Sequence, residues 1–292
     1  MYELIKLTEK SYYINCPARM GIVRTGEDEV CLIDSGNDKQ AGKKVLRILD
    51  SCGWKLKAIY NTHSNADHIG ANRYLAAETG CEIYAPGIEC DFTRHPILEP
   101  SFLYGGYPFS ELRCKFLMAE PSDAKYLTEE NLPKGLETIN LKGHFFDMVG
   151  FRTDDGVVYL ADCISSKETL DKYGICFIYD VAAYLETLRA VLAMDGCIFV
   201  PAHAEPCEDV TEIVNYNIQK VEEISDNIIK LCDTPLTFEE LLKKLFDVYS
   251  LTMNYQQYAL VGSTVRSYLA YLKDIGRLDA VIEDNRLLWK SI

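Results

Sequence analysis

The segment Thr62-His63-Ser64-Asn65-Ala66-Asp67-His68 follows directly on the apolar stretch Leu56 to Tyr60. A short apolar run bounded by polar residues reads as a buried strand. The polar cluster therefore sits where a strand opens into a loop, the place where α/β folds gather ligands and chemistry. The pattern recurs, because Gly143-His144, Ala161-Asp162 and Pro201-Ala202-His203 each follow another strand-like run. Four of the five histidines in the chain are thus carried on strand ends. A fold that brings those ends to one edge makes a single site, and neutral imidazole with carboxylate is the donor set of zinc, iron and manganese.

The remaining pattern fits such a fold. Short β-rich runs open the chain at Tyr2 to Leu7, Ser11 to Cys16, Gly21 to Arg24 and Val30 to Asp34. The spacing predicts a helix over Lys39 to Cys52, with Asp38 as cap, an apolar stripe of Val45, Leu46 and Leu49, and Gly53 as stop. A strand at Lys57 to Tyr60, a helix at Gly70 to Thr79 and a strand at Glu82 to Tyr84 follow. After an irregular segment from Pro86 to Pro133 come strands near Thr138 to Leu141, Met148 to Arg152 and Val157 to Leu160. A helix over Val181 to Met194 then leads to a strand at Cys197 to Val200. Periodicity alone gives an α/β protein with mixed sheets. From Asp209 the character changes to long helices, one opened by the capping box at Thr237 and Glu240, and then to two strands joined by Glu283-Asp284-Asn285. Two domains are expected, 1–207 and 208–292.

The ordered set His63-x-Asn65-x-Asp67-His68, Gly143-His144, Asp162 and His203 resembles the metallo-β-lactamase superfamily, whose first motif is HxHxDH. Upstream, Leu32-Ile33-Asp34-Ser35-Gly36 matches that family's early strand ending in Asp and Gly. The resemblance implies an αββα sandwich over the first 207 residues and a glyoxalase II-like, metal-dependent hydrolase that activates water on an ester, thioester, amide or phosphodiester small molecule. It implies zinc, one or two ions per chain, with iron or manganese as alternatives. Carried onto this chain, one ion takes His63, Asn65 and His144, the other takes Asp67, His68 and His203, and Asp162 bridges them. Asp67 is the expected catalytic carboxylate, and Asp34 is expected to support the loops beneath the site. The helices and terminal hairpin after residue 208 resemble a winged helix.

Asn65 departs from the motif. An amide oxygen is a neutral and weaker donor than imidazole, so asymmetric metal occupancy is expected, with Asn65 either a weak ligand or a hydrogen-bonding neighbour. Two other readings stay open. His63, His144 and Asp162 form the two-histidine, one-carboxylate set of non-haem iron enzymes, as in sulfur dioxygenase or diiron proteins. Alternatively, Asn65 marks a non-catalytic relative with a binding role. The aromatic run holding Phe102, Tyr104, Tyr107 and Phe109 is read as the lining of a substrate pocket or lid, against packing on the sandwich or on a second subunit in a homodimer.

Charge and cysteines narrow the setting. The net charge of −14 disfavours nucleic acid and anionic membrane as partners and leaves a small-molecule substrate. Residues 209–292 carry nine Lys/Arg against thirteen Asp/Glu, a poor match to a DNA-reading winged helix. No apolar run approaches the roughly 20 residues of a membrane span, and Met1-Tyr2-Glu3 does not begin an export signal. Eleven cysteines without a CxxC pair read as reduced, mostly buried thiols of a cytoplasmic protein.

Overall fold

The computed structural model describes residues 2–292; Met1 lies outside them. The first sheet holds seven strands in chain order: β1 (Glu3–Lys6), β2 (Ser11–Asn15), β3 (Met20–Arg24), β4 (Glu29–Ile33), β5 (Lys55–Tyr60), β6 (Glu82–Ala85) and β7 (Lys125–Tyr126). Strands β1 to β4 pair antiparallel, and β4 to β7 pair parallel. Helices α1 (Lys39–Cys52), α2 (Ala66–Ile69) and α3 (Asn72–Thr79) provide the crossovers, followed by α4 (Gly87–Arg94) and α5 (Leu98–Tyr104). The second sheet runs β11-β10-β9-β8, from β8 (Leu136–Asn140), β9 (Val149–Thr153), β10 (Val157–Ser165) and β11 (Ile198–His203). Helices α6 (Lys167–Tyr173) and α7 (Val181–Leu192) connect its parallel pair β10 and β11.

Strand alternation explains why these sheets stack. Cys31 and Ile33 of β4 meet Val157 and Tyr159 of β10 between the sheets, with Tyr13, Tyr60 and Phe151 filling the same layer. The intervening Val30 and Leu32 face outward onto Val45 and Leu49 of α1. On the far side, Val158 and Leu160 of β10 enter a second large core with α7. Helices therefore cover both outer faces, which is the αββα sandwich.

The chain closes with α8 (Thr211–Leu231), α9 (Phe238–Val248) and α10 (Tyr255–Asp274), then a hairpin of β12 (Leu278–Glu283) and β13 (Arg286–Ser291). Asp284 and Asn285 both adopt left-handed backbone at the hairpin turn, which asparagine and aspartate tolerate better than most residues. Val221, Ile228, Leu245, Val265 and Tyr268 share one continuous core with Leu160 and Leu188, so the helical extension is packed into the sandwich. No helix among the described residues is long and apolar enough to cross a membrane.

The segment expected to be irregular contains α4 and α5, and α6 is also absent from the sequence reading. All three have eight residues or fewer. Two of them bury a glutamate in the first turn, Glu89 in α4 and Glu99 in α5, which hides the apolar stripe. Pro100 is tolerated because it stands in the first turn of α5, where no intrahelical donor is lost. The helix expected over Gly70 to Thr79 is preceded by the separate single turn α2, which carries Asp67 and His68.

Candidate metal centre

The site assembles from His63 after β5, Asp67 and His68 on α2, His144 in the loop after β8, Asp162 within β10 and His203 at the end of β11. Asp34, in left-handed backbone just after β4, is the keystone beneath it. Its carboxylate accepts the backbone N–H of Thr62 at 2.8 Å and the Thr62 hydroxyl at 2.7 Å. It also lies 2.8 Å from Nδ1 of His68, turning Nε2 of that ring into the site. The Thr62 hydroxyl stands 2.9 Å from Nδ1 of His63, and the Pro17 carbonyl accepts from Nδ1 of His203 at 3.2 Å. Acceptors behind a ring fix which nitrogen faces forward, the arrangement that orients metal-binding histidines. Gly143, with φ near 120°, delivers His144. A Cβ there would lie 2.2 Å from the backbone nitrogen of Tyr184, so only glycine fits. Ala161 is also left-handed, uncommon for alanine, and sets the turn that carries Asp162 inward.

The sequence-selected residues converge. Asp162 Oδ1 lies 3.1 Å from His68 Nε2, and Asp162 Oδ2 lies 3.1 Å from His203 Nε2, 3.7 Å from His144 Nε2 and 4.0 Å from His63 Nε2. Asp67 Oδ2 is 3.4 Å from His203 Nε2. Two groups could each hold an ion: His63, His144 and Asp162 in one, and Asp67, His68 and His203 in the other. Nε2 of His63 is fully buried and makes no hydrogen bond, while Nε2 of His68 and Oδ1 of Asp162 face each other at 3.1 Å without forming a well-directed one. Buried polar atoms rarely go unpaired, and these stand within the two groups that could hold a cation.

The charges agree. Burial lowers the pKa of His63 and of His144, keeping both neutral. Burial also opposes protonation of His68, but the carboxylates of Asp162, Asp67 and Asp34 outweigh it and raise that ring well above its ordinary value. Burial would likewise raise the Asp162 carboxyl, yet His203 and His68 hold it well below the usual range. The carboxylates thus draw protons onto the imidazoles, and a divalent ion supplies the same compensation once those protons leave.

Asn65 stands at the N-terminus of α2 and makes no capping bond. Its Nδ2 donates to Oε1 of Glu99 at 2.9 Å, and its Oδ1 lies 3.1 Å from Nε2 of His144. Glu89 is fully buried and accepts the N–H and hydroxyl of Ser64 and the N–H of Asp147, tying the His63 loop to the His144 loop. Burial pushes its carboxyl up to about 7. Sequence reasoning missed Glu89 and Glu99. A glutamate in the first turn of a helix ordinarily complements the helix dipole at the surface, so no local signal separated these two.

The aromatic run lies elsewhere than expected. Phe102 packs on Phe146 and Tyr179, Phe109 packs between Tyr104 and Tyr255, and Tyr107 is 74% exposed beside Arg113. Phe102 and Tyr104 line a groove of about 840 Å³ along α10 to which no centre residue contributes. Of the four, Phe102 and Tyr104 line this groove, Phe109 is spent on packing, and the turn at Gly105 and Gly106 ends α5 and leads Tyr107 to solvent. Instead Phe177 meets the His144 ring edge-on, and Phe145 lies against His63. A small cavity of about 40 Å³ is lined by His144, Asp162, Cys176, Phe177, Lys220 and Tyr268, among others. His95 caps the end of α4 at the surface, and Cys163 is buried.

The sequence model of the metallo-beta-lactamase superfamily matches residues 14–203, which contain every residue of both groups. The chain belongs to this superfamily. Among curated relatives, it is 44% identical over 46 residues to a hydroxyacylglutathione hydrolase of Methylococcus capsulatus, covering 16% of this chain and 18% of that protein. It is 37% identical over 68 residues to the hydroxyacylglutathione hydrolase of Rhodospirillum rubrum, covering 23% of this chain and 26% of the relative. The matched segments thus span about a quarter or less of those relatives. Among solved structures, a metallo-beta-lactamase family protein from Thermus thermophilus aligns with a TM-score of 0.73 at 17% identity, over 100% of this chain and 98% of its own. A beta-lactamase domain protein from Burkholderia ambifaria gives 0.74 at 14% identity, over 99% and 94%. The metallo-beta-lactamase from Pontibacter korlensis covers only 76% of this chain and 99% of its own, with a TM-score of 0.59 at 13% identity.

Proposed function

We propose that this superfamily member is a metal-dependent hydrolase of a small-molecule ester or thioester. The observation that carries the reading is the convergence of His63, Asp67, His68, His144, Asp162 and His203 into two groups that could each hold an ion. Zinc suits the imidazole and carboxylate set, with iron or manganese as the alternatives. A divalent ion bound there supplies Lewis acidity and brings the pKa of water down to about 7. Asp162, central to all four histidines, serves both groups. Asp67 has a half-exposed side chain at the mouth of the site and is the carboxylate placed to receive or orient a proton there.

The helices after residue 208 close the inner side of the centre. Lys220 and Tyr268 line the cavity shared with His144 and Asp162, and the buried Tyr268 hydroxyl has no partner. At about 40 Å³ that cavity has room for a water, which would satisfy the hydroxyl. Phe145 and Phe177 exclude water from the His63 and His144 side. The partial likeness to hydroxyacylglutathione hydrolases favours thioesters among acyl substrates. The acidic charge of the whole chain favours a small molecule over nucleic acid. Eleven free thiols support a reducing, cytoplasmic setting.

Full-length protein purified without added metal should contain bound zinc, iron or manganese by elemental analysis and should cleave acyl thioesters. Chelation and Asp162→Ala should each abolish turnover. Protein that takes up no divalent metal and leaves ester and thioester probes intact overturns the reading. A coloured, iron-loaded protein that consumes oxygen instead supports an oxidoreductase built on His63, His144 and Asp162, which form one of the two groups by themselves.

A further inference from the structure

The amide of Asn65 is not idle. An Asn at a helix N-terminus ordinarily accepts a backbone N–H of the first turn, but here that bond is absent and the side chain spans from Glu99 to His144. Glu99 is 5% exposed, and Asn65 is its side-chain partner. The NH2 end of the amide donates to Oε1 of Glu99, an oxygen that accepts even where burial favours the protonated carboxyl, and the amide oxygen then faces the site. That oxygen then lies 3.1 Å from His144 Nε2, the nitrogen that also faces Asp162 at 3.7 Å. Two lone pairs this close need a proton or a cation between them. Donor atoms side by side on one ion, bound at about 2.0–2.1 Å, lie roughly 2.9–3.4 Å apart.

We infer that Glu99 acts as a positioning residue that locks the Asn65 amide with its oxygen inward, so that Asn65 Oδ1 completes the His63–His144–Asp162 group as a ligand. The inference rests on the metal-binding reading above and deepens it. In place of a third imidazole, this half of the centre gains a neutral oxygen donor oriented by the buried carboxyl group of Glu99. Oxygen donors suit harder ions, so the two halves differ in affinity and in the metals they favour.

The test is metal binding, independent of turnover. Chelator-stripped full-length protein is titrated with Co²⁺ and followed by visible absorption and calorimetry. Wild type should take two equivalents, one weaker than the other. Asn65→Ala and Glu99→Leu should weaken the weaker equivalent by about tenfold or more and change its absorption band, with the tighter equivalent moving by less than about threefold. Glu99→Gln keeps an acceptor for the Asn65 amide and should stay within about threefold of wild type. Thermal melts of the stripped variants show that each is folded, and Asn65→Ala carries the test by itself if Glu99→Leu is not. Unchanged affinities in Asn65→Ala overturn the inference. So does a Glu99→Gln variant that weakens binding as much as Glu99→Leu, because charge rather than amide orientation then acts. Wild type that binds no Co²⁺ at all brings down the metal reading itself. Two normal equivalents in every variant leave that reading standing and remove this inference alone.

Discussion

Around His68 and His203 the imidazoles are gripped from behind by Asp34 and the Pro17 carbonyl, and Asp67 reaches partly into solvent. Around His63 and His144 the support is an apolar wall of Phe145 and Phe177 together with two buried glutamates. Both groups have directed polar support, since the Thr62 hydroxyl stands behind His63, but the second adds an apolar wall that excludes water. A dry pocket strengthens every interaction inside it but tolerates no unpaired charge. The neutral Asn65 stands on the dry side.

Cutting the apolar wall should have the largest effect. Phe145 is fully buried among Phe92, Phe146 and Phe177, so Phe145→Ala should cost about 3–5 kcal/mol in urea unfolding. A loss below about 1 kcal/mol would show that packing does not organise this half. On the polar side, Asp34→Ala strands the Thr62 N–H and Nδ1 of His68 and should cost about 3 kcal/mol. It should also weaken metal binding at the His68 group about 10–100-fold, with the His63 group less affected. Equal weakening of both would erase the distinction.

Glu89 sharpens the comparison through pH. Its carboxyl titrates near 7 in the fold against 4.5 when unfolded, mainly because it is buried. The folded state therefore holds a proton that the unfolded state has released, and stability should fall as pH rises from about 4.5 to 7. The total is about 3 kcal/mol, and the curve should be flat beyond that window. Urea melts of chelator-stripped protein at pH 5 and 7.5 measure the slope, and Glu89→Gln should remove this residue's share of it. The smallest effect is expected at Tyr268. Loss of an unpartnered hydroxyl in Tyr268→Phe should leave stability within about 0.5 kcal/mol. A loss above about 1 kcal/mol in urea unfolding would show instead that a water in the cavity pairs with this hydroxyl.

Most of the sandwich was legible because its signals are local. Asp38 caps α1 as its position suggested, Gly53 ends that helix in left-handed backbone, and alternating residues of β4 face opposite cores. The six candidate ligands were visible because each ends a strand-like run within an ordered motif. The short helices α4 and α5 were not visible, since a buried glutamate in the first turn breaks the apolar periodicity that marks a helix. The partners of the aromatic run were hidden for a related reason. Phe102 and Phe109 are as apolar as Phe145 and Phe177, and nothing in their own neighbourhoods says which pair meets an imidazole.

The sequence by itself determined which donors the chain brings, on which strand ends, and that an amide stands where the family has a histidine. Strand and helix periodicity are properties of neighbouring residues, and so is a six-residue motif. Only the tertiary structure decided that Asn65 turns its oxygen toward His144. That orientation is imposed by Glu99, 34 residues further along the chain, and a hydrogen bond across such a distance exists only once packing has removed the water that would otherwise satisfy both partners.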